Sequence, residues 1–190
     1  MVNFSLILFA ESEAVYTDGG VLAEFSWLLV VLPFFAALLI TFFGKYLPMK
    51  GAEVALLTIG SIFIYSVLLM YLHITQGIAN EFFVNVGSIG QFDIEFGWVV
   101  DGLSIMMYFV VGTVALLVFI YATNYMQGEI RYTFFFTSLT LFAGSMLVLV
   151  SSPTLIQILI GWELVGVCSY LLIGHYWEKL AACSNKVIDF

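Results

Sequence analysis

The chain has 190 residues, of which 63% are hydrophobic and only 9% are charged, whereas about 25% of an ordinary soluble domain is charged. A soluble fold of this length would leave much of that apolar surface in water, and the 17% of aromatic residues argues against disorder, collagen and coiled coil. The net charge of −8 disfavours nucleic-acid binding, so the composition predicts an integral membrane protein.

Five apolar stretches are long enough to cross a bilayer as α-helices, which need about 20 residues each. They contain no Lys, Arg or Asp and cover residues 26–43, 54–72, 103–122, 133–150 and 154–173. Residues 1–25 form an outer N-terminal segment whose apolar start is too short to span, and residues 179–190 form a divergent cytoplasmic tail. We therefore predict an all-α integral membrane protein whose membrane region covers residues 26–178.

The basic residues predict the orientation of these helices. They fall in alternate connections, and basic residues collect on the cytoplasmic side of a membrane. The N-terminus is therefore predicted to lie outside and the C-terminus in the cytoplasm. The residues concerned are Lys45 and Lys50 after the first span, Arg131 after the third, and Lys179 and Lys186 after the fifth.

A small β-hairpin is predicted between the second and third spans. Apolar residues alternate with polar or small ones over residues 91–100, which is typical of a strand. A shorter apolar run at residues 83–86 precedes a turn signal, Gly-Ser-Ile-Gly, at residues 87–90. We expect this extramembrane hairpin to lie on the outer face, across the helix ends.

Glu163 is the only acidic residue inside the five predicted spans, and it lies near the middle of the last one. An acid at that depth costs about 2.5–3.5 kcal/mol on insertion scales. Desolvation disfavours the charged form of a carboxyl and so raises its pKa, whereas a nearby cation lowers it. A carboxyl whose pKa is balanced between these two effects can take up and release protons. This pattern favours proton transport. The alternative is a permanently protonated Glu163 that donates one hydrogen bond to a neighbouring helix.

Four further polar residues are candidates for a proton path or for helix packing: Tyr170, His175, Thr137 and Thr140. Tyr170 shares a helical face with Glu163, and His175 at the inner interface either accepts protons or is simply solvated. The threonines belong to a stripe of small residues that is more typical of a packing seam than of a water wire. Metal-ligand clusters, phosphate loops and nucleophile–base pairs are not found in the sequence, so no metal site or cofactor is predicted in this chain.

The stretch at residues 161–174, GWELVGVCSYLLIG, resembles one family closely. It is similar to the antiporter-like large subunit of respiratory complex I, which is called subunit L in bacteria and subunit 5 in mitochondria. Residues 98–104 and 125–132 are similar to the same family, and the resemblance covers residues 20–178. Because the family continues through further helices, we expect this sequence to be a truncated, frameshifted or split form of it.

The resemblance implies a membrane-arm subunit of the proton-translocating NADH:quinone oxidoreductase of the respiratory chain, with Glu163 in its proton path. It implies that NADH, FMN, iron–sulfur clusters and quinone are bound by partner subunits, so that this chain performs no redox chemistry itself. The other membrane-arm subunits would be its partners. A bacterial plasma membrane is expected rather than a mitochondrial inner membrane.

Two alternatives stay open. The large subunit of multisubunit cation/proton antiporters shares the glutamate and much of the helix arrangement, although Gly161 and residues 165–170 resemble the complex I version. Sodium-dependent transport without NADH would indicate this antiporter. The second alternative is a non-transporting fragment with a structural or assembly role, in which Glu163→Gln would change nothing measurable.

Overall fold

The computed structural model describes residues 25–47, 49–77, 79–89, 92–129 and 131–176. Within these ranges the chain forms five α-helices and one antiparallel pair of strands. Four helices are long and apolar enough to cross a membrane, and the first is a shorter apolar helix. In chain order the elements are α1 (Trp27–Phe43), α2 (Ala52–Gln76), β1 (Asn80–Ile89), β2 (Phe92–Val100), α3 (Gly102–Tyr125), α4 (Tyr132–Ser151) and α5 (Leu155–Ile173).

The predicted fold class, five helices with a hairpin between the second and third, is confirmed. The 17 residues of α1 rise about 26 Å, and the 3-10 turn Gly44–Tyr46 extends them towards the roughly 30 Å of a hydrocarbon core. Helix α2 continues past its predicted end until Gly77, whose left-handed backbone (φ 66°) terminates it. Residues 1–24 and 177–190, which hold nearly all of the predicted outer segment and the whole of the tail, lie outside the described residues.

Helix α4 lies at the centre of the bundle, because it packs along α1 on one side and along α5 on the other. Small residues allow both approaches, as is usual between membrane helices. A Cβ at Gly144 would lie 3.2 Å from the ring of Pro33 in α1, and a Cβ at Gly161 in α5 would lie 3.1 Å from the backbone of Leu149. Residues 152–154 alone connect α4 to α5, so the two helices are antiparallel neighbours.

The connections between helices lie at two opposite ends of the bundle. At one end, the Thr133 hydroxyl donates a hydrogen bond to the carbonyl oxygen of Lys50 at 3.2 Å. The α1–α2 and α3–α4 connections are therefore adjacent, and Lys50 and Arg131 lie at the same end of the molecule.

The hairpin lies at the other end, where β2 leads directly into α3. Asp101 caps α3 by accepting a 2.7 Å hydrogen bond from the Ser104 N–H. The Tyr108 hydroxyl of α3 donates to the carbonyl oxygen of Val99 at 3.4 Å, and the Ser104 hydroxyl donates to that of Val150 at 3.5 Å. The end of β2 is thereby fixed on the ends of α3 and α4.

The predicted extent of the hairpin turn is wrong. Strand β1 has 10 residues and runs to Ile89, so most of the expected turn belongs to the ladder. Asn85 pairs with Glu95 and Gly87 with Ile94, which leaves Val86 as an extra residue in a β-bulge. Beyond the bulge the glycine and serine remain paired, and residues 90 and 91 lie outside the described residues.

The close contact of α4 with α5 makes Gly161 sensitive to substitution. Gly161→Ala should destabilise the protein by about 1–3 kcal/mol, because its Cβ would press on the backbone of Leu149. Gly60→Ala in α2 is the matched control: nothing lies within 4 Å of the added Cβ, so this change should be neutral or stabilise by up to about 1 kcal/mol. Thermal unfolding in detergent measures both. Equal stabilities would contradict the close helix contact.

Candidate functional site

Glu163 lies close to the midpoint of the 19-residue helix α5. At 1.5 Å per residue it is about 12 Å from the start of the helix at Leu155 and about 15 Å from its end at Ile173. The side chain is exposed, and within the described residues no hydrogen bond or ion pair to its carboxylate is found. The only other acid in the described helices, Glu53, is in the first turn of α2.

The helical face around Glu163 is open. Ile160, Val167 and Tyr170 on this face are 40%, 54% and 76% exposed. Gly166 belongs to the same face, and a Cβ there would meet nothing within 4 Å. Glu163 therefore points away from α4, onto a surface that the described part of the chain leaves uncovered.

The opposite face of α5 is buried against α4. Gly161 gives the closest backbone approach. Further along, the Cys168 thiol, which is 4% exposed, lies 3.9 Å from the hydroxyl of Ser145. Cys168 is thus the small core residue that its place in an apolar run suggests.

Gln157 joins α5 to the hairpin, and the sequence analysis missed it. Its backbone N–H donates to the hydroxyl of the N-cap residue Thr154 at 3.4 Å. Its side-chain amide is 6% exposed and binds both backbone groups of Gly97: Nε2 donates to the carbonyl oxygen at 2.8 Å, and Oε1 accepts from the N–H at 3.0 Å. The sequence does offer one signal for Gln157, since it is an amide in the first turn of an otherwise apolar helix.

The two candidate threonines of α4 make hydrogen bonds within α4, and one of them also lies near α1. Thr140 is fully buried and donates to the carbonyl oxygen of Phe136 at 2.7 Å. Thr137 donates to that of Thr133 at 3.0 Å, and its hydroxyl oxygen lies 3.5 Å from that of Thr41 of α1. The structure therefore places the polar side of this stripe at the α1–α4 contact rather than beside Glu163.

His175 and Tyr170 occupy different surroundings at the end of α5. His175 is 5% exposed, with its ring edge-on to Phe135 of α4 at 5.5 Å, so the expectation of a solvated histidine is wrong. The 3-10 turn Gly174–Tyr176 folds the imidazole back onto the first turns of α4. Tyr170 instead lines a cavity of about 380 Å³ together with Arg131, whose guanidinium stacks over Phe134 at 5.2 Å.

Glu163 and Tyr170 share the open face of α5 without direct contact between them. Tyr170 lies seven residues beyond Glu163, about 10 Å along the helix. A hydrogen bond needs donor and acceptor within about 3 Å, so these two residues do not bond to each other directly. Arg131, which the sequence analysis used only to predict orientation, adds a positive charge at the Tyr170 end of this face.

Cross-linking can test which residues of α4 and α5 lie opposite each other. Ser145→Cys should form a disulfide with the native Cys168 under mild oxidation, because the two side chains are 3.9 Å apart. Ser138→Cys is the matched control, since this serine is equally buried on α4 but lies two helical turns away. Loss of free thiols, counted by mass spectrometry, gives the result. Equal cross-linking of both variants would contradict the α4–α5 register.

Comparisons with known proteins agree with the resemblance. Residues 87–136 match a family model for the N-terminus of chain 5 of NADH-ubiquinone oxidoreductase (complex I). NAD(P)H-quinone oxidoreductase subunit 5 of the Paulinella chromatophora chromatophore is 39% identical over 182 residues, which cover 88% of this chain and 27% of that protein. Chain 5 of a Synechocystis species is 38% identical over 186 residues, with 89% and 27% covered.

A solved structure has the same fold. A chain of the membrane-bound sulfane sulfur reductase, an archaeal respiratory membrane complex, superimposes with a TM-score of 0.61 at 10% identity and covers 76% of this chain and 29% of that one. At this identity the likeness concerns the fold alone. The chain spans 27% of the length of the two curated relatives described above. By sequence, it is therefore related to the N-terminal part of the NAD(P)H-quinone oxidoreductase subunit 5 proteins.

Proposed function

We propose that this chain serves in the membrane arm of a proton-translocating NADH:quinone oxidoreductase and that Glu163 relays protons within it. The observation that carries the proposal is a carboxyl at the midpoint of an otherwise apolar membrane helix. The relatives are subunits of NAD(P)H-quinone oxidoreductases, which supports the assignment to that enzyme.

The open face of α5 supports a role within a larger assembly. A carboxyl facing lipid at mid-membrane is costly, so such groups face protein or water-filled cavities. The same face carries several large exposed apolar side chains, among them Leu159, Trp162 and Ile173. We therefore propose that protein of the membrane arm covers this face and supplies the cation and the water that a relay at Glu163 needs.

Tyr170 is proposed as the next group of the path towards the Arg131 end of the bundle. Its hydroxyl shares the open face with Glu163 and lines the cavity beside Arg131. We assign His175 to the same end, where its ring packs on Phe135 and is shielded from bulk water. Thr137 and Thr140 are assigned to packing, because their hydrogen bonds lie within α4 and towards α1.

The remaining assignments follow from the subunit role. NADH, FMN, iron–sulfur clusters and quinone would be bound by partner subunits, and the other membrane-arm subunits would be the direct partners. The basic residues favour an orientation in which the hairpin end faces outward and the Lys50–Arg131 end faces the cytoplasm. A bacterial plasma membrane fits this orientation.

Substitution of the acid tests the proposal. In the assembled complex, Glu163→Gln keeps the size of the side chain but removes its titratable proton. The rate of proton transfer through this path should fall by about 10²-fold or more, so fewer protons are moved per NADH oxidised while quinone reduction continues. Sealed membrane vesicles with a pH-sensitive dye measure both quantities.

Glu53→Gln is the control, because Glu53 lies in the first turn of α2 and should have no part in the path. An unchanged proton stoichiometry in correctly assembled Glu163→Gln complex would contradict the relay and favour a structural role. Sodium-dependent proton exchange that needs no NADH would instead identify an antiporter.

A further inference from the structure

Gln157 acts on β2 as a neighbouring strand would. Its amide carbonyl accepts from the Gly97 N–H and its amide NH₂ donates to the Gly97 carbonyl oxygen, at 3.0 and 2.8 Å. Gly97 lies opposite Phe83 of β1, and because its N–H and carbonyl oxygen both bind Gln157, these backbone groups face the outer edge of the hairpin. One side chain thereby satisfies both polar groups of a strand edge that would otherwise be desolvated at this buried position.

The surroundings of Gly97 leave this contact little freedom. A Cβ at this position would overlap the carbonyl oxygen of Phe82 and lie 3.1 Å from the ring of Pro153. The strand therefore fits between β1 and the α4–α5 connection only because residue 97 has no side chain. Since β2 is also held by the Tyr108 and Asp101 contacts with α3, it is a fixed point to which Gln157 can attach α5.

The attachment matters because the other described contacts of α5 are weakly directional. The contact at Gly161 is van der Waals packing, and the thiol–hydroxyl contact of Cys168 with Ser145 is long at 3.9 Å, so neither restricts both the distance and the orientation of α5. The two hydrogen bonds between Gln157 and Gly97 do restrict both, because each bond depends on distance and angle together. An α-helix is rigid over two turns, so the position of Gln157 sets that of Glu163, about 9 Å further along the axis.

We infer that Gln157 is a positioning residue: by binding Gly97 it ties α5 to the outer hairpin and fixes the depth of the Glu163 carboxyl in the membrane. The inference rests on the proposed function, since depth matters only if Glu163 relays protons. It assigns the hairpin a second purpose besides covering helix ends, namely to hold the helix that carries the acid.

The inference is tested in the assembled complex by Gln157→Met, which keeps the length of the side chain and removes both hydrogen bonds. The first readout is the rate at which a water-soluble carbodiimide, added on the hairpin side of sealed vesicles, modifies Glu163, followed by mass spectrometry of the peptide. We expect the rate to rise about threefold or more, because the released helix reaches positions closer to the outer water. The second readout is protons moved per NADH oxidised, which should fall while quinone reduction is retained.

Two further variants complete the design. Gln157→Glu keeps the acceptor for the Gly97 N–H, so its labelling rate should lie between those of the wild type and Gln157→Met, and it carries the test if the methionine variant does not assemble. Gln127→Met is the matched control, because Gln127 is exposed in the turn after α3 and its amide contacts Asn124 alone, at 3.4 Å. It should behave as the wild type in both measurements.

The outcomes separate this inference from the proposed function. An unchanged rate of Glu163 modification in assembled Gln157→Met and Gln157→Glu complexes overturns the inference, whatever happens to proton movement. A raised rate without any loss of proton stoichiometry also overturns it, provided that Glu163→Gln lowers the stoichiometry. If Glu163→Gln leaves the stoichiometry unchanged, the proposed function fails, and the labelling rate still decides whether Gln157 fixes the depth of the carboxyl.

Discussion

The lipid interior offers no hydrogen-bonding partner, so polar groups inside it have to be satisfied by the chain itself. The hydroxyl groups within these helices follow this constraint by donating to the carbonyl oxygen about one turn earlier. Such bonds of 2.7–2.8 Å are made by Thr41, Thr58, Thr113, Thr123, Thr140 and Ser145. Within the described residues the Glu163 carboxylate makes no comparable hydrogen bond. This contrast is the physical reason for proposing that it is functional rather than one more tolerated polar residue.

The same constraint explains where the irregular backbone is found. The described strands and their bulge lie at one end of the bundle, and the open edge of β2 is satisfied at Gly97 by the Gln157 amide. Between the ends, close packing of α4 on α1 and α5 relies on glycines, because lipid does not drive helices together as water would. Glycine contacts, caps at Asp101 and Thr154, and one side-chain amide thus share the stabilisation of the described bundle.

The helices, the hairpin and the position of Glu163 could all be predicted from the sequence, because apolar length and charge placement decide them almost alone. The longer β1 could not be predicted, since the glycine and serine that pair beyond the bulge look like a turn in the sequence. The burial of His175 depends on a 3-10 turn that brings it onto Phe135, which is a tertiary contact with no local signal. Gln157 stands out locally as an amide in an apolar helix, but its partner Gly97 lies 60 residues earlier and could not be inferred from that signal.

The short connection at residues 152–154 has a consequence for biosynthesis. With so few residues between them, α4 cannot lie in the bilayer while α5 remains in water. The two helices have to insert together as a helical hairpin. An acid at mid-membrane costs about 3 kcal/mol on insertion scales, and each Leu, Val or Phe returns about 0.3–0.6 kcal/mol. The apolar α4 thus helps to carry Glu163 into the membrane.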